Sequence, residues 1–198
     1  MLTRVNDIIW SVVGLIVLSP MLLIISILII IDSRGGVFYR QVRVGKNNVD
    51  FKIFKFRTMY TDADKKGLLT VGMRDSRITH IGYKLRSYKL DELPQLINVL
   101  LGDMSLVGPR PEVRKYVDLY NIEQLNVLKV KPGITDYASI QYANENEILS
   151  KSADPDKTYI DTVMPEKIRL NLNYINRKSL REDYFIIWLT IKKIISLD

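Results

Sequence analysis

The sequence predicts an α+β fold, mostly helical and held at one face of a membrane, and three patterns carry that prediction. Residues 8–31 are 24 positions without a charge, bounded by Asp7 and Asp32 and divided by Ser19-Pro20. Two short runs rich in β-branched and aromatic residues flank Gly45-Lys46-Asn47-Asn48, the pattern of a β-hairpin. Downstream, apolar residues recur at helical spacing in several segments, and the last of these carries aromatic and lysine side chains suited to a membrane interface.

The N-terminal run comes first. At ~1.5 Å per residue a straight helix over 8–31 would cross the ~30 Å hydrocarbon core. Ser19-Pro20 divides it into Ile8–Leu18 and Met21–Ile31, 11 residues each, and each half reaches only ~16 Å, about one leaflet. Arg4 lies on one flank and Arg34, Arg40 and Arg43 on the other, so both flanks have cytoplasmic character by the positive-inside rule. A re-entrant helix hairpin over 1–33, bent at Ser19-Pro20 and leaving by the face it entered, meets these conditions. The Ser19 hydroxyl is placed to satisfy a carbonyl freed by the proline. A simple spanning anchor is the competing reading. A cleaved signal peptide is disfavoured by the length of the run and the lack of a small-x-small site.

Ser33-Arg34-Gly35-Gly36 breaks the helix, and 34–198 reads as one cytoplasmic domain. Val37–Gln41 and Asp50–Met59 read as strands. The chain carries 29 Lys and Arg against 22 Asp and Glu, a net charge of +7, and between Arg34 and Tyr60 seven basic residues face one acid, Asp50. That excess points to an anionic partner. The adjacent apolar run makes it phospholipid or a phosphorylated substrate and not nucleic acid, although basic residues among aromatics also occur in single-strand binders. Asp62–Asp75 is polar and reads as a mobile loop. The single histidine, His80, excludes a His-based metal cluster and a Ser-His-Asp triad and reads as structural. The absence of cysteine agrees with a cytosolic setting.

The chemistry-bearing stretch is Lys89–Pro111. Leu90, Leu93, Ile97 and Leu100 make one apolar helical face, expected to be buried, and Asp91, Gln95 and Asn98 share a polar one. Pro94 belongs in the first turn, which places Asp91 at or near the N-cap, where the helix dipole favours a carboxylate or a phosphate. Pro109 and Pro111 stiffen the chain around Arg110, and a rigid guanidinium suits bidentate phosphate recognition. An acid-capped helix followed by a surface turn accounts for the same spacing. Beyond it, Glu112–Val130 reads as a helix and Ile134–Tyr142 as extended or loop. Asn144–Asp161 reads as an acidic solvated face. Pro165–Lys178 reads as a helix with Ile168, Leu172 and Ile175 on one side, and Asp183–Leu197 as an interfacial helix, with a buried core helix as the alternative.

Together these motifs resemble the bacterial monotopic phosphoglycosyl transferases, over essentially the whole chain and at the length of the family's minimal form. The resemblance is carried by Ser19-Pro20, Lys55-Phe56-Arg57-Thr58-Met59, Leu90-Asp91-Glu92-Leu93-Pro94-Gln95, the segment Gly102 to Pro111, and Lys131-Pro132-Gly133-Ile134-Thr135. It implies transfer of a sugar 1-phosphate from a UDP-sugar to polyprenyl phosphate with release of UMP, as the first membrane step in assembling exopolysaccharide, O-antigen or related glycans. It implies Mg²⁺ and a covalent phosphosugar on Asp91, which also ligates the metal, with Glu92 orienting the metal or handling protons. Arg86 and Arg110, with Pro111 beside it, are expected to bind phosphate, and Lys55 and Arg57 are weaker candidates. The implied location is the cytoplasmic face of the bacterial inner membrane. One departure stands out: the family often has glycine after Gly-Ile-Thr, where this chain has Asp136, so the local backbone and the nucleotide or sugar contact are expected to differ. A membrane-bound phosphohydrolase using the same nucleophile and a non-enzymatic membrane adaptor are the rival classes. The sequence leaves the sugar and the oligomeric state open, a homodimer included.

Overall fold

The computed structural model of the protein describes residues 2–61, 63 and 75–196. The polar segment 62–75, expected to be a loop, lies almost entirely outside the described residues.

Helix α1 (Leu2–Asp32) is followed by an antiparallel hairpin of β1 (Phe38–Val44) and β2 (Asp50–Phe56), in register from Phe38 opposite Phe56 to Val44 opposite Asp50. Next come α2 (His80–Ser87), a 3₁₀ turn at Leu90–Glu92, α3 (Gln95–Leu101) and β3 (Ser105–Val107). β3 pairs in parallel with β4 (Gly133–Thr135) across a connection that holds α4 (Arg114–Val117) and a 3₁₀ turn at Gln124–Lys129. The chain ends in short helices α5 (Tyr137–Gln141), α6 (Glu145–Ser150) and α7 (Pro155–Thr158), then α8 (Met164–Arg177) and α9 (Leu180–Ile195).

α1 is helical throughout, with Pro20 inside it, and no clear re-entrant hairpin is resolved there. The reason is local. Pro20 cannot donate to the Ile16 carbonyl four residues back, and the Ser19 hydroxyl donates to that same carbonyl at 2.8 Å. With the freed acceptor satisfied, the helical ladder tolerates the proline. α1 is long and apolar enough to cross a membrane, and Ile16, Val17, Leu23, Ile24, Ile27, Ile30 and Ile31 point outward.

Both ends of α1 are nonetheless fastened to the rest of the protein. At the N-terminal end Arg4 donates to the carbonyls of Val99 and Leu100 at the end of α3. The buried carboxylate of Asp7 accepts from the Ser105 hydroxyl at 2.9 Å and from the Leu106 N–H at 3.1 Å. At the other end Asp32 accepts from the Ile81 N–H at 3.0 Å, at the start of α2. Ile25 and Ile29 are buried in one cluster with Phe56 of β2 and Leu85 of α2.

Other expectations are revised. The segment 112–130 is not one helix but α4 and a 3₁₀ turn, because Val113, Tyr116 and Val127 are drawn into the cluster around Tyr159, Met164 and Ile168. The acidic segment 144–161 is not wholly solvated, since Leu149 and Tyr159 belong to the same cluster. α8 matches its predicted span and apolar side. α9 buries Asp183 and Ile186 and leaves Tyr184, Phe185, Trp188, Ile191 and Ile195 outward. α9 is thus half-buried, with an apolar outer face. Trp10 of α1 donates to the Tyr184 hydroxyl at 3.3 Å, so the outward apolar surfaces of α1 and α9 adjoin.

Candidate active site

Lys89 adopts a left-handed backbone, φ 57°, which turns the chain sharply out of α2 and into the 3₁₀ turn that holds Asp91 and Glu92. Such conformations in a residue with a Cβ persist where the surroundings impose them, often at functional sites. Asp91 precedes α3 but does not cap it by a side-chain hydrogen bond, and Pro94 stands at the N-cap position instead of in the first turn.

α3 is turned the other way from expectation. Gln95 and Asn98 are buried, whereas Leu93 and Ile97 are only partly so and Leu100 is exposed. Asn98 explains the reversal by completing the edge of β2. Its side-chain oxygen accepts from the Phe54 N–H at 2.8 Å, and its amide nitrogen donates to the Lys52 carbonyl at 2.9 Å. Leu96 of α3 abuts Gly14 of α1, Leu90 of the preceding 3₁₀ turn packs with Ile25 and Ile29, and Val99 is buried with Ile53 and Met104.

Glu92 is clamped. Arg110 Nη1 donates to Oε2 at 2.9 Å, Arg110 Nη2 donates to Oε1, and Lys55 Nζ donates to Oε1 at 2.9 Å. Burial alone would raise the Glu92 carboxyl, but the charges of Arg110 and Lys55 outweigh it and hold the group well below the usual range. Burial lowers the Lys55 ammonium, while Glu92 opposes that shift. Asp91 is different. Its carboxylate accepts no hydrogen bond among the described residues, and burial, then the Glu92 charge, pushes it above the ordinary aspartate value. Lys55, Arg86 and Lys89 act in the opposite direction. One carboxylate is thus neutralised and fixed, and its neighbour is left with its acceptors available. No three or more His, Cys, Asp or Glu converge among the described residues. A Mg²⁺ ion fits this donor set, since it commonly takes one or two carboxylates and completes its shell with water and phosphate oxygens.

Lys55, Arg86, Asp91, Glu92, Arg110 and Pro111 line one cleft. The same cleft reaches Trp10, Gly14 and Leu18 of α1 and Ile187 and Ile191 of α9, so its charged end opens toward the apolar surface. Arg57 also borders it, but its guanidinium donates to carbonyls at the end of α1, to Ser33 at 2.8 Å, Gly36 at 2.7 Å and Arg34. Its guanidinium thus closes the end of α1. Pro111 is buried and offers its carbonyl to Arg43 at 3.1 Å.

The turn that carries Arg110 rests on β4. Gly133 N–H donates to the Pro109 carbonyl at 3.0 Å and Gly108 N–H to the Thr135 carbonyl at 3.1 Å. A Cβ on Gly133 would lie 2.1 Å from the Gly108 nitrogen, so glycine is required at that crossing. Sequence reasoning missed the Arg43–Glu112–Tyr159 network beneath this turn, in which Arg43 donates to Glu112 at 3.1 Å and the Tyr159 hydroxyl donates to the other carboxylate oxygen. Glu112 follows Pro111 directly, and no spacing in the sequence links it to a residue 47 positions away.

The sequence profile of the bacterial sugar transferase family matches residues 1–197. The chain is 38% identical over 196 residues to a UDP-N-acetylgalactosamine-undecaprenyl-phosphate N-acetylgalactosaminephosphotransferase of Aeromonas hydrophila, covering 98% of this chain and 43% of the relative. It is 39% identical over 194 residues to a UDP-glucose:undecaprenyl-phosphate glucose-1-phosphate transferase of Klebsiella pneumoniae, covering 96% and 39%. A relative of the same description from Caulobacter vibrioides is 32% identical over 198 residues, covering 98% and 70%. The chain therefore spans less than half the length of the first two relatives and most of the third. With residues 1–197 matched to one profile, the chain belongs to the bacterial sugar transferase family.

Proposed function

We propose that the protein transfers a sugar 1-phosphate from a UDP-sugar to polyprenyl phosphate, releasing UMP, through a covalent phosphosugar on Asp91. The observation that carries this reading is the contrast within the carboxylate pair: Glu92 is held by Arg110 and Lys55, while Asp91 is buried with no hydrogen bond among the described residues. In the first step an Asp91 oxygen bonds to the phosphorus that bears the sugar, the bond from that phosphorus to the bridging oxygen breaks, and UMP leaves with the electron pair. In the second step an oxygen of polyprenyl phosphate bonds to the same phosphorus and the Asp91 carboxylate is released.

A carboxylate is a weak nucleophile and needs a polarised phosphorus. Bound Mg²⁺ supplies charge neutralisation at Asp91 and the diphosphate, as phosphoryl transfer generally requires. Arg110 and Arg86 hold and orient phosphate oxygens, and Lys55 keeps Glu92 charged and in place.

The acceptor reaches the cleft along the apolar wall made by α1 and α9. We read residues 1–33 as the membrane segment and 34–198 as a domain on the cytoplasmic face of the inner membrane. Support comes from the two fastenings of α1, since Asp7 and Asp32 both bind the one domain. A helix that crossed the bilayer would carry one of them ~30 Å away. Entry and exit at one face satisfies both contacts.

The test is acceptor dependence. Purified protein is incubated with a panel of UDP-sugars and Mg²⁺, and steady-state UMP release is followed with and without undecaprenyl phosphate. Sustained turnover with one UDP-sugar only when the lipid is present supports the transferase. Sustained turnover in its absence identifies a phosphohydrolase, and no turnover with any sugar sinks the reading.

A further inference from the structure

Resting on Arg110 as a diphosphate ligand, we propose that Asp136 is the positioning residue that fixes Arg110 for that task. Within Pro109-Arg110-Pro111 the Arg110 N–H is the one backbone donor, because proline has none. That N–H donates to Asp136 Oδ2 at 3.0 Å. Asp136 Oδ1 accepts from the Ser139 N–H at 2.6 Å and so caps α5. The side chain is completely buried. A buried carboxylate is costly unless its oxygens are hydrogen-bonded, and here each oxygen has a separate backbone N–H. The neighbouring bonds, Gly133 to Pro109 and Gly108 to Thr135, come from the same strand. Residues 133–136 therefore hold the whole turn, and the Asp136 carboxylate supplies the bond nearest the guanidinium.

The arrangement requires two acceptors on one short side chain. Asparagine offers one oxygen and one NH₂ group, so it meets only one of the two N–H groups and sets a donor against the other. A small shift of the Arg110 backbone is carried along the side chain to the guanidinium, and ångström-scale misplacement of a positioning group is costly. The bland alternative is that Asp136 only caps a five-residue helix, with its bond to Arg110 incidental.

A double-mutant cycle separates the two. UDP binding to the full chain in lipid nanodiscs is measured by calorimetry for the native protein, Asp136→Asn, Arg110→Ala and the combined variant. Expected is a loss of roughly 30-fold for Arg110→Ala, the size of a lost charge-assisted contact. Asp136→Asn should lose roughly tenfold in the native background and less than twofold in the Arg110→Ala background, since a positioning residue has nothing left to position. If Arg110→Ala leaves UDP binding intact, the reading of Arg110 as a phosphate ligand fails. If Arg110→Ala weakens binding but Asp136→Asn has no effect, or the same factor in both backgrounds, Asp136 is only a cap and this inference is overturned. Should Asp136→Asn fail to fold, Asp136→Gly replaces it in the cycle, because glycine is tolerated at an N-cap and also removes the acceptor for Arg110, and the same outcomes decide.

Discussion

Arg110 grips Glu92 with two nitrogens of its guanidinium, one on each carboxylate oxygen. The pair joins the β3–α4 turn to the 3₁₀ turn beside Asp91. It needs the planar fork, because an ammonium reaches both oxygens only poorly. Arg110→Lys should therefore lower turnover by at least about tenfold while leaving the protein folded, the loss expected for one charge-assisted hydrogen bond. Steady-state UMP release and thermal denaturation of the same sample check this, and near-native turnover would reduce Arg110 to a structural role.

Glu92→Gln removes the charge that two partly buried cations share. Breaking a buried pair costs about 3 kcal/mol, and partial exposure of Arg110 reduces that, so the melting temperature should fall. The pH dependence follows from the sign. The Glu92 carboxyl is held well below its usual value of 4.5 in the folded protein. Its stabilisation is thus fully present above pH ~4.5 and is lost as pH falls through the depressed value. Denaturation midpoints of the native protein should fall more steeply with acidification than those of Glu92→Gln. Parallel profiles would show that the clamp contributes nothing.

Arg57 closes the end of α1 through the carbonyls of Ser33, Arg34 and Gly36. Arg57→Lys cannot reproduce that fan of bonds and should destabilise the protein by about 2 kcal/mol, in the range for lost bonds to a charged group. KM for the UDP-sugar should stay within about twofold of native, since a single binding contact would shift it about tenfold or more. A large rise in KM with unchanged stability would place Arg57 in the phosphate site.

The fastening of both ends of α1 to one domain predicts a topology. Single cysteines at Leu2 and Arg34 should both resist a membrane-impermeant thiol reagent in intact cells and react once the cells are opened. Labelling at position 2 in intact cells would show a spanning helix.

Much of the fold was legible because it is written locally. The uncharged run 8–31, the hairpin around residues 45–48 and the α8 stripe of Ile168, Leu172 and Ile175 each follow from spacing and turn chemistry. The continuity of α1 was half legible: the Ser19 hydroxyl was expected to satisfy the carbonyl freed by Pro20, and in doing so it keeps the helical ladder intact. The orientation of α3 was not legible, because apolar residues normally face inward. Only the strand edge that Asn98 completes, together with the outward surface provided by α1, reverses that rule. Asp91, Glu92 and Arg110 were found as a group through motifs. That Arg57 is a helix cap and that Asp136 binds Arg110 depend on contacts between segments more than 20 positions apart, which no local pattern encodes.

The central claim is that Asp91 becomes covalently modified. The native protein is incubated with its UDP-sugar and Mg²⁺ without lipid, quenched, digested and analysed by mass spectrometry. The account predicts a burst of UMP stoichiometric with enzyme and a phosphosugar mass on the peptide that contains Asp91, discharged when polyprenyl phosphate is added, as a two-step covalent mechanism requires. Asp91→Asn keeps the size of the side chain and should fold and bind membrane, yet form no adduct. An unmodified Asp91 in the native protein, together with substantial turnover by Asp91→Asn, would contradict the account and point to direct transfer between the two substrates.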